Sequence, residues 1–484
     1  MKMIHGFFRS AKPSAPSGCS LLLSVLAALF VSSAGSMAAE VLWKLGLAKA
    51  NITPDEPLWL AGYASRTNPA IGKAMDLWVK VLALEDTNGN RAIILTSDTL
   101  GIPQSIYQHS CAALKEKFGL EPRQLLLTGS HTHCGPVLRN MLYDAYPLDD
   151  RQRALIEKYS TWFESKIIDV TGKALSDLSQ VRLAAGQGTT RFAVNRRNNP
   201  AGKVPALIAE GQLKGPFEHS VPVLAAFGPD GNLKAVLFGY ACHNTTMSFD
   251  QWCGDYAGFA QLALEKSHPD AVALFIMGCG GDQNPLPRGR LELAERYGNM
   301  LAGAVEEVLI APPSASSPVL QPLRTLPPSL EMAMKMVTLD LGPALSEAEL
   351  QAMKADTNPS FRRYATRLLA QLAAGKPFIR SYPYPMQAWR LGGSQLLLTL
   401  GGEPVVDYAV KFKAEFGPQT WVAGYCNDVM TYIPSLRVLK EGGYEGGKAF
   451  IPYGVPASCW GDDVEDLITQ AGRELVAGLD RKRP

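Results

Sequence analysis

The feature that most constrains this chain is a recurrence of short apolar runs, each ending in small or polar residues. Examples are "LLLTGS" (125–130), "AVLFGYACHN" (235–244), "AVALFIMG" (271–278) and "QLLLTLGGEP" (395–404). Runs this short are read as buried strands, because helices of globular proteins usually need about ten residues or more. Helical apolar spacing falls between them, over 105–118, 255–268 and 290–310. Strand, helix, strand in alternation predicts an α/β fold: a layered mixed-sheet core with flanking helices, its site at the strand ends. Residues 77–98, "LWVKVLALEDTNGNRAIILTSD", read as a hairpin around an Asn-Gly turn. A Pro/Ser-rich crossing near 311–330 separates a second half with a strand at 332–341, helices within 345–375 and an amphipathic helix near 462–478. Glycine-rich turns in both halves predict one catalytic unit over 40–484.

The N-terminus has a different composition. Lys2, Arg9 and Lys12 precede "LLLSVLAALFV" (21–31), and the small residues "SSAGSMAAE" follow. Positive, then apolar, then small is the order of a secretory signal peptide, here 1–39 with cleavage near Ala38 or Ala39; a retained anchor is the alternative. The expected destination is periplasmic or extracellular. A formal net charge of +2 is close to neutral and gives no electrostatic argument for nucleic acid or an acidic surface, so no nucleic-acid partner is expected. Loss of Cys19 with the leader leaves an odd number of cysteines, so at least one thiol is free. Cys242 and Cys253 are spaced so that they could pair, and the absence of any CxxC argues against a cysteine-held zinc.

Two of only seven histidines, His131 and His133, stand one residue apart after the run 125–127. In extended backbone residues i and i+2 face the same way, so both rings would point to one spot at the mouth of the sheet. His243 ends a second run, and Glu403 follows a third. A hydrolytic zinc site takes about three or four protein ligands and keeps an open position. Each residue alone has a plainer reading: a hydrogen-bonded strand-end imidazole, or an acid at a helix N-terminus. Their common placement is what makes a site. His109, His219 and His268 read as surface residues. "FIMGCGGDQNP" (275–285) is a strand entering a glycine-rich turn, where backbone N–H groups can meet an oxyanion or simply make a tight connection. Gly281, Asp282 and Asn284 are its substrate-binding candidates. It lacks the Gly-Lys-Ser/Thr ending of a phosphate loop.

Together these motifs resemble the neutral/alkaline (non-lysosomal) ceramidases, zinc-dependent amidases that split the N-acyl bond of ceramide. "SHTHCGP" (130–136) is similar to the family's HTHSGP; the resemblance implies that His131 binds Zn²⁺ and that His133 is the acid/base or oxyanion partner. "CHNTTM" (242–247) and "GGE" (401–403) similarly point to His243 and Glu403 as ligands. The segment 424–447 resembles the family's tyrosine region, implying Tyr432 on the metal and Tyr444 on the substrate, and "VNRR" (194–197) implies Arg196 in the active site. The likeness runs over essentially the whole mature chain. It implies a zinc-activated water attacking an N-acyl lipid amide such as N-acylsphingosine, with peripheral membrane contact.

The departures are specific. Asn284 stands where the family loop carries a serine, "VL" replaces a glycine pair after HTHSGP, and the β-sandwich domain that typical members append after the tyrosine segment is not expected here. Two other readings stay open: a different metallohydrolase of amides or esters, and a zinc-containing binding protein that has lost catalysis. An amidohydrolase barrel would need further metal histidines, and of those that follow only His243 is well placed.

Overall fold

Hydrophobic alternation lays down the first sheet. In a computed structural model of the protein, which describes residues 42–312 and 321–481, β1 (Trp43–Asn51) pairs antiparallel with β2 (Trp78–Glu85). The expected hairpin joins β2 to β3 (Arg91–Ser97). Helix α1 (Gln104–Phe118) then crosses over to β4 (Leu125–Gly129), which lies parallel to β3. Helix α2 (Asp150–Ser176) leads into β5 (Ser179–Thr189), β6 (Ser220–Phe227) and β7 (Leu233–Tyr240), an antiparallel run. A second crossover helix, α3 (Asp255–Ser267), returns the chain to β8 (Val272–Met277), parallel to β7. Parallel neighbours need such a crossover, and each of the two here uses one helix. After α4 (Leu291–Ile310), β9 (Gln321–Leu326) pairs with β5. The mixed sheet therefore runs β8-β7-β6-β5-β1-β2-β3-β4, with β9 attached to β5.

A smaller sheet follows: β10 (Leu330–Asp340), β11 (Ser381–Leu391), β12 (Gln395–Leu400) and β13 (Trp421–Ala423), in that order. Helices α5 (Glu347–Lys354) and α6 (Pro359–Ala373) lie between β10 and β11 in sequence, α7 (Asp407–Phe416) between β12 and β13, and α8 (Val464–Asp480) near the end. Strand β9 takes up part of the stretch read as a Pro/Ser-rich crossing, so that crossing is shorter than its composition suggests. The expected leader lies outside the described residues.

Period-two patterning decides the layers. Val79, Val81, Ile93, Leu95, Phe238 and Phe275 face a core shared with Ile156, Phe163 and Leu301 of the helices. The alternate residues Leu82, Leu84, Ile94, Leu126 and Leu237 instead meet Trp389, Leu397 and Trp421 of the smaller sheet. That sheet's outer face, with Tyr384, Met386 and Leu398, packs on Phe412, Ile468 and Leu475. The result is four layers: helices, sheet, sheet, helices.

The large sheet curls. Its end strands β8 and β4 come into contact, and the exit from β13 bridges both, Ala423 pairing with Gly278 and Cys426 with Thr128. The carboxyl ends of the two parallel pairs are thereby brought to one place. All seven described cysteines are unpaired, Cys242 and Cys253 included. Among the described residues no helix is long and apolar enough to cross a membrane.

Candidate metal centre

His131 follows β4 and His243 follows β7, one from each parallel pair. The two side chains are fully buried. The geometry at His131 differs from the expected extended pleat, because this residue adopts a left-handed backbone with φ of 58°. The turn still brings His131 and His133 together, with their Nε2 atoms 3.2 Å apart. His243 joins them, and the ligating nitrogens of all three rings lie within 4.8 Å of one another.

The carboxylate comes from the second half of the chain. Glu403 pairs with Tyr432 in a short parallel bridge, so the two residues are register partners. Glu403 Oε2 lies 3.2 Å from His131 Nε2 and 3.3 Å from His243 Nε2. The Tyr432 hydroxyl is 2.8 Å from His243 Nε2 and accepts from Arg196 at 3.2 Å. Five residues expected from sequence, His131, His133, His243, Glu403 and Tyr432, thus converge. Arg196 sits at their edge, its guanidinium 3.5 Å from His243 Nε2 and held by Glu445 (2.7 Å) and Asn284 (3.3 Å). Tyr444 is half exposed, its ring 5.2 Å from that of Tyr432.

The protonation pattern suits a cation. His131 Nδ1 meets the Leu100 carbonyl at 2.7 Å and His243 Nδ1 meets the Gly280 carbonyl at 2.6 Å. A carbonyl only accepts, so each Nδ1 carries a proton and leaves Nε2 as the atom turned toward Glu403. Burial, then the charge of Arg196, push His243 down to about 4. Burial works against the charge on Glu403, but His131 and His243 more than offset it and hold the carboxyl well below its usual range. Two imidazole nitrogens and an ionised carboxylate facing one point at such distances form a pocket for positive charge. The donor set, nitrogen with one carboxylate, fits zinc.

His133 is placed differently. Burial, with His131 and His243 beside it, lowers its pKa well below normal, and its buried Nδ1 has no hydrogen-bond partner among the described residues. Its ring packs on Tyr63, with centroids 4.6 Å apart. A neutral imidazole with one nitrogen toward the cluster can take a proton there or add a further ligand.

The glycine-rich turn needs correction. Gly281 and Asp282, expected on the substrate, face the Glu403 segment instead. Gly281 donates to the Pro404 carbonyl (2.9 Å), and a β-carbon there would fall 2.7 Å from the Glu403 carbonyl oxygen. Asp282 is buried and spends its carboxylate on the Val406 N–H (2.8 Å) and on Asn195 (2.9 Å). Only Asn284 of the three reaches the site, through Arg196. His109 is a surface residue paired with Glu164, whereas His268, paired with Glu306, and His219, with Nε2 on the Ala193 carbonyl at 2.9 Å, are both partly buried.

Three residues escaped the sequence reading. Tyr453 donates to Glu403 Oε1, Tyr425 lies with its ring 4.4 Å from His131 and its hydroxyl 3.4 Å from Glu403 Oε2, and Glu445 braces both Arg196 and Arg197. Their only signal is a density of tyrosines and glycines over 424–453.

The fold and the cluster define an α/β protein with a buried nitrogen and oxygen donor set, able to hold a metal ion at the strand ends. The pattern described as neutral/alkaline non-lysosomal ceramidase, N-terminal, matches residues 43–286, half of the chain. The chain belongs to that family. Neutral ceramidase B of Dictyostelium discoideum is 25% identical over 249 residues, covering 48% of this chain and 33% of that protein. The chain thus spans a third of the length of this curated relative. Two solved structures share the fold: "Ceramidase complexed with C2" (TM-score 0.67, 19% identity, 92% of this chain and 76% of that one) and neutral ceramidase from Pseudomonas aeruginosa (TM-score 0.66, 20% identity, 92% and 75%).

Proposed function

We propose that this protein is an exported, zinc-dependent hydrolase of N-acyl lipid amides, with ceramide as the reference substrate. One observation carries the reading: the two Nε2 atoms and the Glu403 carboxylate turned on one point, each ring locked by a carbonyl. His131, His243, Glu403 and Tyr432 would hold the ion. Bound there, zinc supplies Lewis acidity, polarising the amide carbonyl and making water more acidic.

The chain's own groups do the rest. Neutral His133 is a base, so it takes the proton that the attacking water gives up as oxygen bonds to the carbonyl carbon. The same proton then passes to the amide nitrogen as the C–N bond breaks, leaving a carboxylic acid and an amine. The Arg196 guanidinium, fixed by Glu445 and flanked by the rings of Tyr432 and Tyr444 at 5.5 and 5.8 Å, stands ready to stabilise the developing oxyanion. Asn284 replaces a serine without adding a nucleophile, and its side chain orients Arg196.

A lipid substrate calls for contact with a lipid surface. Ile208, Leu213 and Phe217 are exposed in one segment soon after Arg196 and Arg197, beside exposed Lys203 and Lys214, a composition that supports peripheral binding. The core shared by the two sheets supports one catalytic unit over 40–484. Elemental analysis of the purified protein should give about one zinc per chain, and turnover of fluorescent N-acylsphingosine should stop on chelation and return with zinc. Zinc-loaded protein inactive on every amide tried would sink the reading.

A further inference from the structure

Tyr444 divides two spaces. On its inner side is a 40 Å³ cavity that also touches His133, Glu403 and Tyr432. On its outer side is an open hollow of 500 Å³ with Arg196, Arg197, Asn284 and Arg288 in its wall. The walls differ in chemistry: the inner one mixes Leu142, Ala145 and Pro452 with His133 and Glu403, whereas the outer one carries the guanidinium groups of Arg196, Arg197 and Arg288 beside the carboxylates of Glu441 and Glu445.

The carboxylates of the hollow are already engaged. Glu445 takes Arg196 at 2.7 Å and Arg197 at 2.6 Å, and Glu441 takes Arg197 at 3.0 Å and Arg437 at 2.9 Å. Arg288 is exposed, with no ion pair among the described residues; its NH1 rests on the Thr245 hydroxyl at 3.1 Å and carbonyl at 3.4 Å. Its backbone is anchored on both sides, since Tyr297 donates to the Pro287 carbonyl and Gly289 N–H to the Thr246 carbonyl, each at 2.7 Å. A guanidinium is a planar fork that matches carboxylate or phosphate, and this one is held in place without a protein anion.

We propose that Arg288 selects substrates carrying negative charge on the amine side: N-acyl amides whose leaving amine bears a carboxylate or a phosphate. The anionic head lies in the hollow, beside Arg288. The inference rests on the amide-hydrolase reading for its reaction and narrows its substrate class. A neutral head such as that of N-acylsphingosine leaves Arg288 without a counter-charge.

The test compares N-dodecanoylglycine, N-dodecanoyl-O-phosphoethanolamine and neutral N-dodecanoylethanolamine on the zinc-loaded full chain. Wild type should give the higher kcat/KM on the anionic amides, and the better of these two identifies the head group. Arg288→Gln should cut the preference for anionic over neutral substrate about five- to tenfold, mainly through KM, and Arg288→Lys should keep most of it. Equal losses on all three substrates, or a wild-type preference for the neutral amide, overturn the proposal. If wild type turns over none of them, the hydrolase reading fails instead, and calorimetry decides the anion site alone. Binding of N-dodecanoylglycine weakened about fivefold or more by Arg288→Gln supports it; equal binding by the two proteins overturns it.

Discussion

Gly62 and His133 approach so closely that a β-carbon on the glycine would fall 2.3 Å from the imidazole Nδ1. Gly62 also has φ of +102°, a backbone that L side chains rarely adopt. The glycine is thus part of the wall that sets the position of this ring. Gly62→Ala should displace His133 while leaving His131 and His243 in place, so turnover should fall about a hundredfold with zinc content retained. Steady-state kinetics beside metal analysis checks this, and a fully active variant would show that the ring position is not limiting.

Tyr453 holds Glu403 from the side away from the histidines. Removing that hydroxyl leaves Oε1 without this donor, while the contacts of His131, His243 and Tyr425 all fall on Oε2. Tyr453→Phe should weaken zinc binding about ten- to hundredfold, as loss of an outer hydrogen bond to a ligand commonly does. Competition with a chromophoric chelator reads the affinity directly, and an unchanged value would refute the brace.

Asp282 serves two buried donors, the Val406 N–H and the Asn195 amide. Asp282→Ala leaves the Val406 N–H without its acceptor, at a cost of roughly 1–3 kcal/mol, and the Asn195 amide with only the Pro216 carbonyl at 3.1 Å. The variant should unfold at lower urea concentration. A midpoint equal to wild type would return Asp282 to the list of substrate contacts.

Asp428 sets a pH dependence of stability. Burial pushes its carboxyl up to about 7, despite hydrogen bonds from Tyr382 (2.7 Å) and Gln104 (3.3 Å). The unfolded chain gives up this proton near pH 4 and the folded protein near 7. Between these values the folded state holds more protons, so this group's contribution to stability falls as pH rises, by a few kcal/mol in all. Asp428→Asn should flatten that decline when urea unfolding is compared at pH 5 and pH 8. An equally steep loss in the variant would assign the effect elsewhere, for example to Asp98 or Asp255, both pushed up to about 6 by burial.

Much of the site was legible because its residues stand at ends of apolar runs. His131, His243 and Glu403 each follow a short apolar run that reads as a buried strand, and strand ends are where α/β layers open. A left-handed turn at His131, and not an extended pleat, brings the His131 and His133 rings together. Gly281 and Asp282 illustrate the opposite case. A glycine-rich turn with an acid reads as a ligand loop, and nothing local says that its partner is the Val406 amide, 124 residues away.

Local sequence determined the periodicities, and with them the alternating strands and helices, the sidedness of each strand and the chemical type of the donors, because side-chain direction repeats every two or 3.6 residues whatever surrounds it. Only the tertiary structure decided which donors meet. The curling of the large sheet, and the wedge of residues 423–426 between its two ends, bring groups hundreds of residues apart within 3.3 Å of one another. Proximity of that kind depends on how whole layers pack, which no short window of the chain encodes.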